Sequence, residues 1–147
     1  SWNASRDTPA PDIVLRTIDG RALPLADFSG RTVLLQFWAT SCRTCIEEIP
    51  RLTALYERVP RARLEIIAIA MPYDRPDAVI AMSRQRGIPY PVALDPLGEA
   101  AAAFDDVAVT PTTVIIDSEG SIVRTTTGRL DFDALERLVD AENDALG

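Results

Sequence analysis

Two stretches of the chain are apolar at nearly every position. Thr32-Val33-Leu34-Leu35-Gln36-Phe37-Trp38 and Leu64-Glu65-Ile66-Ile67-Ala68-Ile69-Ala70 are short, rich in β-formers and bounded by turn residues. Such runs read as strands buried on both faces. Between them the pattern changes period. Ile46, Ile49, Leu52, Leu55, Tyr56 and Val59 recur every three or four residues, the stripe of an amphipathic helix. Pro50 falls inside that stripe. It lacks an N–H and its ring crowds the turn before it, so it is expected to kink the helix near Glu47.

The remaining pattern gives further elements. Ile13–Leu15 and Ala22–Leu25 flank Asp19-Gly20, a hairpin signal. A helix is expected from Pro76 to Arg86, with Gly87 as its stop. Pro91–Leu94 reads as a short strand and Glu99–Phe104 as a short alanine-rich helix. Thr112–Asp117 and Ser121–Thr127 read as a hairpin around Ser118-Glu119-Gly120, and Asp131 as the cap of a last helix through Phe132, Leu135, Leu138 and Val139. The order is a β-hairpin followed by β-α-β-α-β-α-β-β-α. Helical crossovers imply parallel strands at the centre, and the closing hairpin implies an antiparallel edge. The expected fold class is α/β, a central mixed sheet flanked by helices with an N-terminal hairpin. Residues 1–10 are expected to be a flexible lead-in and residues 11–147 one domain.

Composition narrows the function. The 147 residues are 47% apolar and 25% charged, the balance of a globular chain able to bury a core without staples. The net charge of −7 argues against a nucleic-acid partner. All 15 basic residues are arginine, which excludes lysine chemistry, and the lack of histidine excludes Cys–His catalysis. No apolar run approaches the roughly 18 residues of a membrane span. A start at Ser1 with a polar opening is the pattern of a mature chain whose signal peptide or anchor is absent, and this is carried as an expectation. Asn3-Ala4-Ser5 matches a glycosylation sequon, too short a match to carry weight.

Cys42 and Cys45, the only two cysteines, sit where the first buried strand gives way to the helical stripe. Zinc needs four ligands, and neither further cysteines nor histidines exist to supply them. A purely structural bridge closing so short a loop removes little unfolded-state entropy. A redox-active dithiol is the reading the spacing favours. At i, i+3 both sulfurs share a helix face. The first lies among unpaired N–H groups at the positive end of the helix dipole, which stabilises its thiolate. Cys42 is therefore the expected nucleophile and Cys45 the resolving thiol. Arg43 adds a positive charge beside them.

The order of elements resembles a thioredoxin fold. Four stretches make the chain similar to the extracytoplasmic TlpA/ResA/DsbE-type thiol–disulfide oxidoreductases. These are Ala10-Pro11-Asp12 with Asp19-Gly20 and Leu25–Gly30; Phe37–Thr40 leading into Cys42-Arg43-Thr44-Cys45; Glu48-Ile49-Pro50; and Val109–Asp117. Tyr90-Pro91-Val92 and Asp95 match the insert of that branch. The resemblance implies that Pro111 is a cis proline facing the dithiol, with Thr110 offering backbone groups to a substrate strand. It also implies that Glu48 assists proton transfer, for which a buried carboxylate with a raised pKa would be suited. Thr110, Trp38 and Arg43 are the candidate substrate-binding residues, Trp38 chiefly as a wall beneath the dithiol. Three features depart from the pattern. Ser41 stands where tryptophan is usual, Gln36 where thioredoxin has a buried acid, and Arg43-Thr44 contains no proline. With glutamine at position 36, proton transfer is not expected to run through it.

The resemblance implies a monomer that reduces disulfides of an extracytoplasmic client, of the apocytochrome c or copper-site type. Electrons would come from a membrane thiol donor, and no cofactor or metal is called for. Two rivals stand beside it. A thiol peroxidase shares the fold but usually has threonine three residues before its cysteine, where this chain has Ala39. A Cu(I)-binding module would have to rely on two thiolates without histidine.

Overall fold

The structure is a computed structural model and describes residues 8–145. Among them, seven strands form one sheet: β1 (Val14–Thr17), β2 (Ala22–Pro24), β3 (Thr32–Trp38), β4 (Leu64–Ala70), β5 (Val92–Leu94), β6 (Thr112–Ile116) and β7 (Ile122–Thr127). Four α-helices accompany it: α1 (Arg43–Arg58), α2 (Pro76–Gln85), α3 (Glu99–Ala103) and α4 (Phe132–Ala145). The sheet order is β2-β1-β5-β4-β3-β6-β7. β3, β4 and β5 are parallel, while β6 pairs antiparallel with β3 and β7 with β6. The parallel centre and the antiparallel closing edge match the expectation from the pattern. The N-terminal hairpin docks antiparallel against β5, through Arg16↔Leu94 and Thr17↔Ala93.

β3 and β4 are buried at every residue, which is why their sequence shows no alternation. Their side chains still divide between two cores. Leu34, Trp38, Ile66 and Ala68 pack with Leu52 and Leu55 of α1, Val79 of α2 and Leu135 and Val139 of α4. Val33, Leu35, Phe37, Ile67 and Ile69 pack on the other face with Ala100 and Ala101 of α3, Phe104 and Phe28. α1 runs unbroken from Arg43 to Arg58 with Pro50 inside it. Thr8 O accepts the Ile122 N–H and Ala10 N donates to Gly120 O, both at 2.8 Å, so residues 8–10 lie along the β6–β7 hairpin. The sequon at Asn3 lies outside the described residues.

Candidate functional site

The site forms at the C-terminal end of β3, where four connections meet. Residues 39–42 leave β3. The β4–α2 loop is held beside it, because Met71 N donates to Trp38 O at 2.9 Å. The Thr40 N–H and hydroxyl each donate to an Asp74 carboxylate oxygen at 2.7 Å. The loop before β6 arrives because Phe37 pairs with Thr112, which sets Pro111 level with Trp38. The β7–α4 loop joins it through Gly128 N, which donates to Pro111 O at 2.8 Å.

Cys42 and Cys45 are joined as a disulfide, with Cα atoms 5.3 Å apart. Cys42 is the N-cap of α1, in extended backbone (φ −93°, ψ 104°), and its Sγ accepts the Cys45 N–H at 3.2 Å. The sulfur therefore occupies the place of an ordinary capping oxygen, at the positive end of the helix. The two sulfurs differ in access. Cys42 is half-buried, and Cys45 is 1% exposed within the core that also holds Trp38.

Glu48, one turn beyond Cys45, is 3% exposed. Its Oε2 accepts the Leu130 N–H at 2.7 Å and its Oε1 accepts from Gln36 Nε2 at 3.2 Å. Burial pushes its carboxyl above the usual range. The Leu130 N–H, the Gln36 amide and the Arg129 charge oppose that rise, and Glu47 adds to it.

The other candidates divide. The Thr110–Pro111 bond is cis; Pro111 is buried and Thr110 half-buried. Thr112 Oγ1 donates to Val109 O at 2.5 Å within the same loop. Trp38 is 2% exposed, in the same core cluster as Cys45, so in this structure it presents almost no surface. The side chain of Arg43 is 92% exposed and pairs with Glu47 at 3.4 Å, so solvent screens its charge. Three participants escaped the sequence reading: Asp74, Arg129 and Leu130. Arg129 Nη2 reaches Glu47 Oε1 at 3.2 Å and Thr44 Oγ1 at 3.5 Å, which ties the β7–α4 loop to the first turn of α1. No local motif marks them, because each acts on a residue more than thirty positions away in the chain.

A strand-fed dithiol capping a helix in a mixed sheet, with a cis proline on the neighbouring strand's approach, defines a thioredoxin-fold thiol–disulfide oxidoreductase. The chain belongs to the AhpC/TSA family, whose profile matches residues 7–125. It is 33% identical over 128 residues to the thiol-disulfide oxidoreductase ResA of Bacillus thuringiensis subsp. konkukian, a match covering 86% of this chain and 72% of that protein. A crystal structure of a thiol:disulfide interchange protein of the thioredoxin family from Chlorobium tepidum superposes with a TM-score of 0.85. It is 27% identical, and the match covers 99% of this chain and 100% of that one. The exposed lipoprotein thioredoxin of Streptococcus pneumoniae matches with a TM-score of 0.75 and 26% identity, over 89% of this chain and 99% of that one.

Proposed function

We propose that this protein reduces disulfides of an extracytoplasmic client, with Cys42 as nucleophile and Cys45 as resolving thiol. The observation that carries the reading is the unequal access of the two sulfurs: an incoming disulfide reaches Cys42 and not Cys45. The Cys42 thiolate attacks one client sulfur, the client S–S bond breaks, and the departing client thiolate takes up a proton. Cys45 then loses its proton to Glu48 and attacks Cys42. The Cys42–client bond breaks, the second client thiolate takes up a proton, and the client leaves as a dithiol, two electrons richer, while the Cys42–Cys45 disulfide remains.

The surroundings support each role. The helix terminus and the Cys45 N–H favour the Cys42 thiolate. Glu48 is buried one helical turn beyond the resolving cysteine with a raised proton affinity, which suits a proton acceptor. Thr110 and Pro111, on the loop that the β3–β6 pairing brings level with Trp38, would provide backbone for an extended client segment. Val109 and Tyr73, exposed apolar side chains on two of the converging loops, add contact area for a protein. The resemblance to the TlpA/ResA/DsbE branch supports an extracytoplasmic monomer supplied by a membrane thiol donor and acting on apocytochrome c or copper-site clients. The pneumococcal lipoprotein supports the same side of the membrane.

Client capture tests this reading. Cys42→Ala abolishes disulfide exchange, whereas Cys45→Ala accumulates mixed disulfides with a peptide carrying the haem-attachment cysteines of a c-type cytochrome. Ordinary turnover by Cys42→Ala overturns the assignment. A reduction potential near that of thioredoxin, about −270 mV, agrees with a reductant; one near that of DsbA, about −120 mV, makes the protein an oxidant. The rival reading is a thiol peroxidase, which shares the fold. Against that chemistry, Ala39 lacks a hydroxyl and the Thr40 hydroxyl is held by Asp74. A peroxide-consumption assay separates the two.

A further inference from the structure

Glu48 meets two hydrogen-bond partners of different kinds. The Leu130 N–H, 2.7 Å from Oε2, only donates. Gln36, 2% exposed on β3, places Nε2 3.2 Å from Oε1. A primary amide carries a donor and an acceptor side by side, and a half-turn about its last bond exchanges them. That matters because Glu48 changes character when it takes a proton. A carboxylate only accepts, whereas a carboxyl group has an O–H that needs an acceptor, and for a buried group the neighbouring side chain is the one at hand.

Building on the oxidoreductase reading, we infer that Gln36 is a positioning residue that lets buried Glu48 hold and release a proton. Its amide donates Nε2–H to the carboxylate and, turned over, accepts the O–H of the acid. As Cys45 loses its proton, the S–H bond breaks and an O–H bond forms on Glu48 Oε1. Gln36 then presents its carbonyl oxygen to that O–H, while Glu48 Oε2 keeps the Leu130 N–H. On release to solvent the amide turns back. No electrons move in this step.

The charged groups that act on Glu48 are Glu47 on α1 and Arg129 on the β7–α4 loop; β3 contributes the neutral Gln36, and Cys45 lies one turn earlier on α1. A glutamate at position 36 would set two carboxyl groups on one proton, and an aliphatic residue would leave the acid without an acceptor. The amide is the neutral side chain that suits both states. This gives position 36 a part in proton transfer that its lack of an acidic group conceals.

Carboxyl-carbon and side-chain-amide NMR titrations of the oxidised protein follow Glu48 and Gln36 directly, without turnover. The Gln36 amide signals are expected to titrate with the same midpoint as the Glu48 carboxyl. Gln36→Leu is expected to raise that midpoint by about one pH unit, since the ionised form loses the stronger, charge-assisted bond. Gln36→Glu is expected to split it into two steps. The pH dependence of the Cys42–Cys45 reduction potential should carry the same inflection, moved in Gln36→Leu and absent in Glu48→Gln. Gln36 amide signals that stay flat through the Glu48 titration overturn the inference, and the wild-type protein alone shows this if a variant does not fold. So does an unmoved midpoint in Gln36→Leu. A wild-type dithiol that does not cycle in thiol buffers would instead sink the oxidoreductase reading and leave the NMR result to judge Gln36.

Discussion

Glu48 is a carboxylate inside the protein, with a donor on each oxygen and a proton affinity above that of an exposed glutamate. Its linkage to stability follows from the sign of that shift. The native state binds the proton more tightly than the unfolded chain, so stability falls as pH rises through the window between the two values. The contribution of Glu48 is fully present below about pH 4.3, the ordinary glutamate value, and is lost as pH rises through its native value. Urea unfolding at a series of pH values should show wild type gaining on Glu48→Gln as pH falls. A difference constant with pH would mean that the native carboxyl titrates at its ordinary value. The sequence marked Glu48 and Gln36 as separate points of interest. Their bond spans a strand and a helix, and only the packing of α1 on β3 brings them together.

At the scale of elements, α1, α3 and α4 begin on side chains that accept from otherwise unpaired N–H groups. The Cys42 sulfur starts α1. Asp131 Oδ1 accepts the Ala134 N–H at 3.1 Å at the head of α4, the cap its sequence position suggested. Asp95, 7% exposed, takes the Ala100 and Ala101 N–H groups at 2.9 and 3.0 Å and starts α3. The two aspartates differ in surroundings. At Asp131, water can replace the lost acceptor, and Asp131→Ala is expected to cost about 1 kcal/mol. At Asp95 two buried donors would be left unpaired, so Asp95→Ala is expected to cost more, roughly 2 kcal/mol or above. Denaturant midpoints of the two variants check the order; equal losses would show that burial adds nothing at α3.

At the scale of the molecule, β3 is the centre of the design. It is covered on both faces, lies between β4 and β6, and delivers the chain to Cys42. A cavity there is poorly relieved because helices and strands close it on every side. Leu34→Ala, at a side chain with no exposure, is expected to cost about 2–5 kcal/mol in equilibrium unfolding, with the Cys42–Cys45 disulfide still able to form. A loss below about 1 kcal/mol would mean that the surrounding layers collapse onto the gap. The same burial makes Cys45 inaccessible and leaves Cys42 at the rim, so the order of attack in the proposed reaction is set by the layer structure as much as by the spacing of the cysteines.

The elements were legible because burial leaves a local trace. The continuous apolar runs gave β3 and β4 at their observed limits, and the helical stripe gave α1. The cysteine spacing alone placed the dithiol on one helix face. Other features depend on which elements become neighbours. These are the docking of the N-terminal hairpin on β5, the meeting of four loops over Cys42, the grip of Asp74 on Thr40 and the Gln36–Glu48–Leu130 arrangement. Periodicity records whether a residue faces the core, a property of its own segment. It does not record which distant residue waits there, because that choice is made by strand order and layer packing. The sequence by itself determined the strands, the helices and the cysteine pair; the tertiary structure decided which sulfur is exposed and which groups meet the Glu48 carboxylate, since both are properties of the space between elements.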